Sequence, residues 1–184
     1  MERCAWLKLD DPIYVAYHDE EWGVPVYEDR HLFEMICLEG AQAGLSWLTI
    51  LKKREGYRQA FNQFDAEKII HYDAEKLAEL KENPAIIRNR LKIQSVVTNA
   101  NAFLAMQQKH GSFSNYIWSF VDGKPIINQW QTIAEVPITT EISDRMSKQL
   151  KKDGFKFVGS TICYSFMQAV GMVNDHTVDC LCRK

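Results

Sequence analysis

The sequence contains no apolar run of the roughly 18 residues that a membrane-spanning helix needs, and no membrane association is expected. Its first residues, Met1-Glu2-Arg3-Cys4, lack the apolar stretch of an export signal, so a cytoplasmic location is the expectation. There is no excess of positive charge: 22 Lys and Arg stand against 24 Asp and Glu, for a formal net charge of −2. Phosphate contacts dominate the affinity of proteins that coat nucleic acid, so any nucleic-acid surface here must be local. The five cysteines are an odd number, which in a reducing compartment favours metal binding or burial over a disulfide framework. Glycine is sparse at 9 residues and forms no Gly-x-Gly-x-x-Gly phosphate cradle, which argues against an enzyme acting on small phosphorylated substrates. Period-two alternation is scarce, and neither internal repeats nor low-complexity tracts occur.

What is present is helical. The 184 residues, 46% hydrophobic and 25% charged, suit one globular domain spanning 1–184. Apolar residues recur at helical spacing, as in Leu32, Met35, Ile36 and in Leu91, Val96, Val97, Ala100, Leu104. Asn83-Pro84 predicts the start of a helix that Gly111 ends; Ser143 and Ser160 predict N-caps for segments ending at Gly154 and Gly171. The stretch 111–140, with Gly123-Lys124-Pro125, predicts turns and short irregular pieces. An all-α fold follows, whose ends, 1–25 and 172–184, lack helical periodicity and need something else to hold them.

Three groups of residues carry chemistry. Cys4 and His18 at one end and His176 and Cys180 at the other form a two-cysteine, two-histidine set suited to tetrahedral zinc. Neither pair has Cys-x-x-Cys spacing, so a terminal thiol and ordinary histidines compete as explanations, and Cys182 rivals Cys180 as ligand. Cys37 and Cys163 sit among apolar helical neighbours and are expected as small buried hydrophobes. Trp6, Tyr14, Tyr17, Trp22 and Trp47 crowd the first fifty positions, and several such rings can wall a cavity that stacks on a flat cation. Glu39 follows an apolar helical run and precedes a glycine-containing bend; by residue type alone, a solvated last-turn carboxylate is the commoner outcome. Finally, Lys151-Lys152-Asp153-Gly154-Phe155-Lys156-Phe157-Val158-Gly159-Ser160 reads as a basic helix end, a glycine-bounded turn and a new helix start, the hairpin element of 143–171. Backbone N–H groups of Val158, Gly159 and Ser160 would seat a phosphate, with Lys156, Lys151 and Lys152 supplying local positive charge.

Ordered strings across nearly the whole chain carry a resemblance: Arg3-Cys4-Ala5-Trp6, Tyr17-His18-Asp19-Glu20-Glu21-Trp22-Gly23, Leu38-Glu39-Gly40, Ala43-Gly44-Leu45-Ser46-Trp47, Gly154-Phe155-Lys156-Phe157-Val158-Gly159 and Asn174-Asp175-His176. With these the chain resembles the type I 3-methyladenine branch of the helix-hairpin-helix DNA glycosylases. The resemblance implies a monofunctional glycosylase of base excision repair that acts on double-stranded DNA, with one structural zinc on Cys4, His18, His176 and Cys180. It implies that Glu39 and Tyr17 recognise the excised base, with Glu39 the candidate catalytic carboxylate. It further implies that Trp47 stacks on the base and that Trp6, Tyr14 and Trp22 line the same pocket. Relatives that also cut the backbone carry a lysine just after the hairpin's Val-Gly; Ser160 and Thr161 stand there instead, so lyase activity is not expected. Asp179 falls near the place of the catalytic aspartate of many relatives and ranks second to Glu39.

A base inside a duplex must be flipped out to be reached. The loop Gln42-Ala43-Gly44-Leu45 is the expected filler of the gap, with Leu45 as wedge. The competing reading is a zinc-stapled DNA-binding module without chemistry, which would need the hairpin and metal but no buried Glu39. A monomer is the expected state.

Overall fold

A computed structural model describes residues 2–183. Nine helices account for most of the described residues: α1 (Pro12–Glu20), α2 (Asp29–Ala41), α3 (Trp47–Ala60), α4 (Ala66–Ile69), α5 (Ala74–Glu82), α6 (Arg90–His110), α7 (Phe113–Trp118), α8 (Glu141–Lys152) and α9 (Ser160–Ala169). The fold is mostly helical, as expected, with one addition that period-two reading could not find. Strands β1 (Ile126–Ile127) and β2 (Val173–Asn174) are two residues each and pair in parallel, Ile126 with Val173 and Ile127 with Asn174. No helix among the described residues is long and apolar enough to cross a membrane.

Helix α2 is the axis of the fold. Every residue from Leu32 to Ala41 is buried, the behaviour of a helix apolar on all sides, and α3, α6, α7 and α9 pack around it. At its C-terminal end, where helix carbonyls run out of intrahelical partners, the Lys92 amine donates to Ala41 O (2.9 Å) and, just beyond the helix, to Ala43 O (2.6 Å). Two carboxylates lie within this buried helix and are treated differently. Glu34, 7% exposed, accepts three hydrogen bonds from the Arg58 guanidinium on α3 at 2.8 to 3.1 Å. Glu39, 2% exposed, has no cation beside it among the described residues.

Several expected boundaries move, each for a local reason. Asn83-Pro84 ends α5 rather than opening α6, because the Asn83 side chain accepts from Ala85 N (2.9 Å) and turns the chain. Helix α6 starts at Arg90, capped by the Asn89 side chain on Lys92 N (3.0 Å), and ends as expected at Gly111 with φ 83°. Leu91, expected in its core stripe, is exposed. Thr140, not Ser143, caps α8; Ser143 completes a reciprocal capping box by accepting from Thr140 N. Gly159 caps α9 and Ser160 is its first residue, while the closing glycines Gly154 (φ 98°) and Gly171 (φ 69°) hold as expected. The stretch 111–140 is irregular except for α7 and β1. The N-terminal end contains α1, started by Asp11, whose side chain accepts from Ile13 N and Tyr14 N ahead of Pro12.

The two ends meet. Leu181 N donates to Glu2 O (2.9 Å), and Val178 N donates to Trp130 O (3.0 Å). Residues 23–26 run along the end of α9, with Gly23 N on Gln168 O and Val26 N on Val170 O. Gly171 makes this approach available, since a Cβ there would lie 2.2 Å from Val24 C.

Candidate active site and metal centre

Helices α1, α2, α3 and α9 and the segments around them converge on a cavity of about 250 Å³ lined by Trp6, Tyr14, Tyr17, Trp22, Glu39, Gln42, Trp47, Ile133, Ser165 and Gln168. Tyr14 and Tyr17 are three residues apart on α1 and therefore share a face; Ser165 and Gln168 repeat the spacing on α9. Trp47 opens α3, held there by the Ser46 cap on Thr49 N (3.2 Å). Its ring lies 5.5 Å from that of Tyr17, and Trp6 packs at 5.2 Å on Tyr14 and 5.0 Å on Trp22. All six residues expected at the base site, Glu39, Tyr17, Trp47, Trp6, Tyr14 and Trp22, are thus brought together. The volume falls just below the 300–1,000 Å³ of pockets for drug-sized ligands, the scale of a single heterocycle.

The polarity of the cavity is unusual. Among the described residues, the buried side-chain nitrogens and oxygens without a hydrogen-bond partner are Trp6 Nε1, Trp47 Nε1 and Glu39 Oε2, all on cavity-lining residues. A buried orphan of this kind costs about 1–3 kcal/mol. Burial pushes the Glu39 carboxyl up to about 8, which favours its protonated form at neutral pH. Burial, and then the nearby Glu39, push the Tyr17 hydroxyl upward as well. A larger cleft of about 660 Å³ near Glu28, Asp29 and Asp65 has no such orphans. There Asp29 already accepts from Gln107, Phe113 N and Ser114 N.

Behind the cavity wall lie Cys4, His18, His176 and Cys180, all buried, with ligand atoms within 4.8 Å of one another. His176 Nδ1 is 3.5 Å from Cys4 Sγ and 3.2 Å from Cys180 Sγ, and Cys180 Sγ is 3.6 Å from His18 Nε2. These separations suit the edges of a tetrahedron with bonds of about 2.0–2.3 Å. The outward ring nitrogens are also engaged: His18 Nδ1 with Asp19 Oδ1 (2.8 Å) and His176 Nε2 with Trp22 O (2.9 Å). Such partners orient metal-binding imidazoles. Asp19 is in turn held by the Arg3 guanidinium at 2.8 to 3.1 Å. Burial pushes His176 down to about 4, which keeps its ring neutral and able to bind a cation. Cys182 stands apart from the four, 3.3 Å from Asp19 Oδ1 and 3.8 Å from His18 Nδ1, so Cys180 and not Cys182 completes the group. Cys37 and Cys163 are buried among apolar residues, as expected.

The turn between α8 and α9 holds the residues expected to seat a phosphate. No hydrogen bond among the described residues engages the N–H groups of Val158, Gly159 or Ser160. Lys156 is exposed and its backbone is clamped by buried Asn99, which accepts from Lys156 N (2.7 Å) and donates to Lys156 O (3.2 Å). Ser160 Oγ donates to Asp144 Oδ1 (2.5 Å). Gly44 has φ 77° with open space around it, and Leu45 is 40% exposed at the loop tip. Asp179 is exposed and does not line the cavity.

Sequence reading missed Gln42, Ile133, Ser165 and Gln168 in the lining, and Asn99 and Lys92 as supports. Only the α9 pair had a legible signal, its i, i+3 spacing just after the phosphate seat. Asn99 and Lys92 act across long sequence separations that no local pattern reports.

A helical fold that presents an aromatic cavity with a buried unpartnered carboxylate beside a turn with free N–H groups is that of a base-reading protein. Residues 6–184 match the family model described as methyladenine glycosylase, and the chain belongs to that family. It is 56% identical over 182 residues to DNA-3-methyladenine glycosylase 1 of Escherichia coli, covering 99% of this chain and 97% of that protein. The crystal structure of a 3-methyladenine DNA glycosylase I matches with a TM-score of 0.97, 56% identity and full coverage of both chains. A Staphylococcus aureus 3-methyladenine DNA glycosylase I, described as giving the structural basis of 3-methyladenine recognition, matches with a TM-score of 0.96 at 39% identity, covering 100% of this chain and 97% of that one.

The Glu39 environment makes stability depend on pH with a definite sign. A carboxyl raised from 4.5 to about 8 keeps in the folded state a proton that the unfolded chain releases, so its contribution is full below pH 4.5 and is lost as pH rises to 8. Glu39→Gln should therefore match the parent in melting temperature near pH 5 and exceed it increasingly up to pH 8 to 9. A difference that does not change with pH across this window would contradict the burial of an unpaired carboxyl.

Proposed function

We propose that this protein is a monofunctional DNA glycosylase of base excision repair that flips out alkylated purines, chiefly 3-methyladenine, and hydrolyses their N-glycosidic bond. The observation that carries this reading is the confinement of the buried orphan polar atoms to one aromatic, base-sized cavity. A DNA-binding module without chemistry gives no reason to bury Glu39 unpaired. A flat cationic base does. Methylation at ring nitrogen 3 makes the purine a cation, which stacks on Trp47 and Tyr17 through cation–π attraction of about 0.5–2 kcal/mol. The cation also favours the ionised form of Glu39, so the bound base displaces the carboxyl proton and gains a charge-assisted hydrogen bond from its exocyclic amine. Trp6 and Trp47 indole N–H groups offer donors to ring acceptors.

The chemistry then needs little assistance. As the glycosidic bond breaks, its electron pair neutralises the cationic base, and water adds to the sugar carbon; no strong general acid is required. Glu39 contributes by holding negative charge near the base and the electron-poor sugar. Ser160 and Thr161 provide no amine for backbone cleavage.

The remaining parts belong to DNA engagement. We read α8, its turn and α9 as a helix-hairpin-helix element that grips one DNA phosphate through the N–H groups of Val158, Gly159 and Ser160, with Lys156 adding charge. The loop at Gly44 enters the gap left by the flipped nucleotide, with Leu45 as wedge. The four-residue Cys and His group fits a structural zinc: every ligand position is filled by protein, so the ion would tie residues 1–25 to 172–184 and take no part in the reaction. We place the whole activity in one domain, 1–184, acting as a cytoplasmic monomer.

Incubation with methylated DNA should release free 3-methyladenine without strand scission, and Glu39→Gln should lower that release by at least tenfold while leaving the fold intact. Absence of any free base from the parent protein would refute the enzyme and restore the binding module. Metal analysis of freshly purified protein should give close to one zinc per chain, and Cys4→Ser should lose the metal and stability. A metal-free protein of unchanged melting temperature would show that the four residues are not a zinc site.

A further inference from the structure

Asp175 is a carboxylate that the activity described above does not use. It is 0% exposed and accepts four hydrogen bonds, all from neutral groups. Oδ1 takes Asn128 Nδ2 (2.7 Å) and Trp130 Nε1 (2.7 Å); Oδ2 takes Tyr164 OH (2.5 Å) and Gln168 Nε2 (2.9 Å). The last of these has a consequence for the cavity. All four partners are placed as donors around the two oxygens, so the Gln168 amide sits with its nitrogen on Asp175. Gln168 lines the cavity, and its Oε1 has no hydrogen-bond partner among the described residues. The amide atom left for the cavity is therefore the oxygen.

We propose that Gln168 is a specificity-determining acceptor for the exocyclic amine of the flipped purine, and that Asp175 is the positioning residue that fixes its polarity. The proposal rests on the reading of the cavity as a base site. An adenine-type base offers an amine hydrogen to Gln168 Oε1, whereas a guanine-type base turns a carbonyl oxygen toward it, lone pair against lone pair. Mismatches that leave a site's buried polar groups unpaired discriminate far more strongly than a missing methylene. Gln168 Oε1, its amide nitrogen held by Asp175, has no hydrogen to offer a carbonyl.

The two sides of Asp175 make the idea testable by an isosteric change. In Asp175→Asn the new amide must place its oxygen toward Trp130, because an indole N–H only donates, and Asn128 satisfies the same oxygen. Its nitrogen then faces Tyr164 and Gln168. The Tyr164 hydroxyl can rotate to accept, and the Gln168 amide must flip, putting Nε2 into the cavity. The structure is kept while the cavity's acceptor becomes a donor.

The experiment compares release of 3-methyladenine and 3-methylguanine from the same methylated DNA and reads their ratio, so that losses of folded or metal-loaded protein cancel. Asp175→Asn should lower the adenine-to-guanine ratio at least tenfold. Gln168→Met, which keeps the volume but has no amide, should lower it as well, and in that background Asp175→Asn should change the ratio by less than twofold. A ratio unchanged by Asp175→Asn, or changed equally with Gln168→Met present, overturns the assignment while leaving the glycosylase reading in place. If Asp175→Asn does not fold, Gln168→Met decides alone, and an unchanged ratio in it overturns the assignment. A parent protein that releases neither base overturns both.

Discussion

The constraint on which the rest of the structure depends is the burial of one unpaired carboxyl group. Helix α2 carries two glutamates into the interior, and only one is given a cation. Arg58 neutralises Glu34, which makes that residue part of the scaffold. Glu39 is left with an orphan oxygen and with its proton held up to about pH 8. An ionised carboxylate at this depth is expensive without a partner, so the cavity is most stable when a positive charge enters it. A neutral base does not supply that charge.

The surroundings serve to hold that cavity in shape. Helix α1 turns Tyr14 and Tyr17 toward Glu39 and His18 toward the Cys and His group, so one helix supports both sites. Trp6 packs against His18 with ring centroids 5.2 Å apart, and Trp22 packs against His176 at 4.7 Å. The rings that wall the cavity on one side are therefore the rings that cover the four ligand positions on the other, and tying the chain ends together also fixes the base site. On the opposite flank, Gly40 lets the turn before α9 press onto α2: a Cβ there would lie 3.1 Å from Phe157 Cβ. The turn before α9 thus rests on the residue next to Glu39. Asp175 adds a further tie, joining the strand region at Asn128 and Trp130 to the cavity residue Gln168.

The sequence made the helical class, the aromatic group and the four metal-type ligands legible, because residue type and order carry them. The resemblance to a known family assigned roles that spacing left open, as with Cys180 against Cys182. The helix starts were less legible. Asn83-Pro84 and Asn89 both suit a cap, and the bond from Ala85 N to the Asn83 side chain makes the first a turn. Helix α1 escaped notice because its inward residues, Tyr14, Tyr17 and His18, are aromatic and polar rather than aliphatic, so no apolar stripe marks it. Glu39 was open to a solvated reading by type alone; its depth depends on α1, α3 and α9 closing over the end of α2. Asn99 and Lys92 act through bonds to residues far away in the chain, and no local pattern encodes them.

The central claim is that a cationic base exchanges for the proton of Glu39. Carbon-13 NMR of the Glu39 carboxyl carbon, titrated with pH, tests it most directly when carried out with and without a purine methylated at ring nitrogens 3 and 9, which is a fixed cation. The account predicts a midpoint near pH 8 in the free protein that moves below neutrality when the cation is bound. A midpoint in the ordinary range near 4.5 for the free protein, or one near 8 that the bound cation does not move, would contradict it.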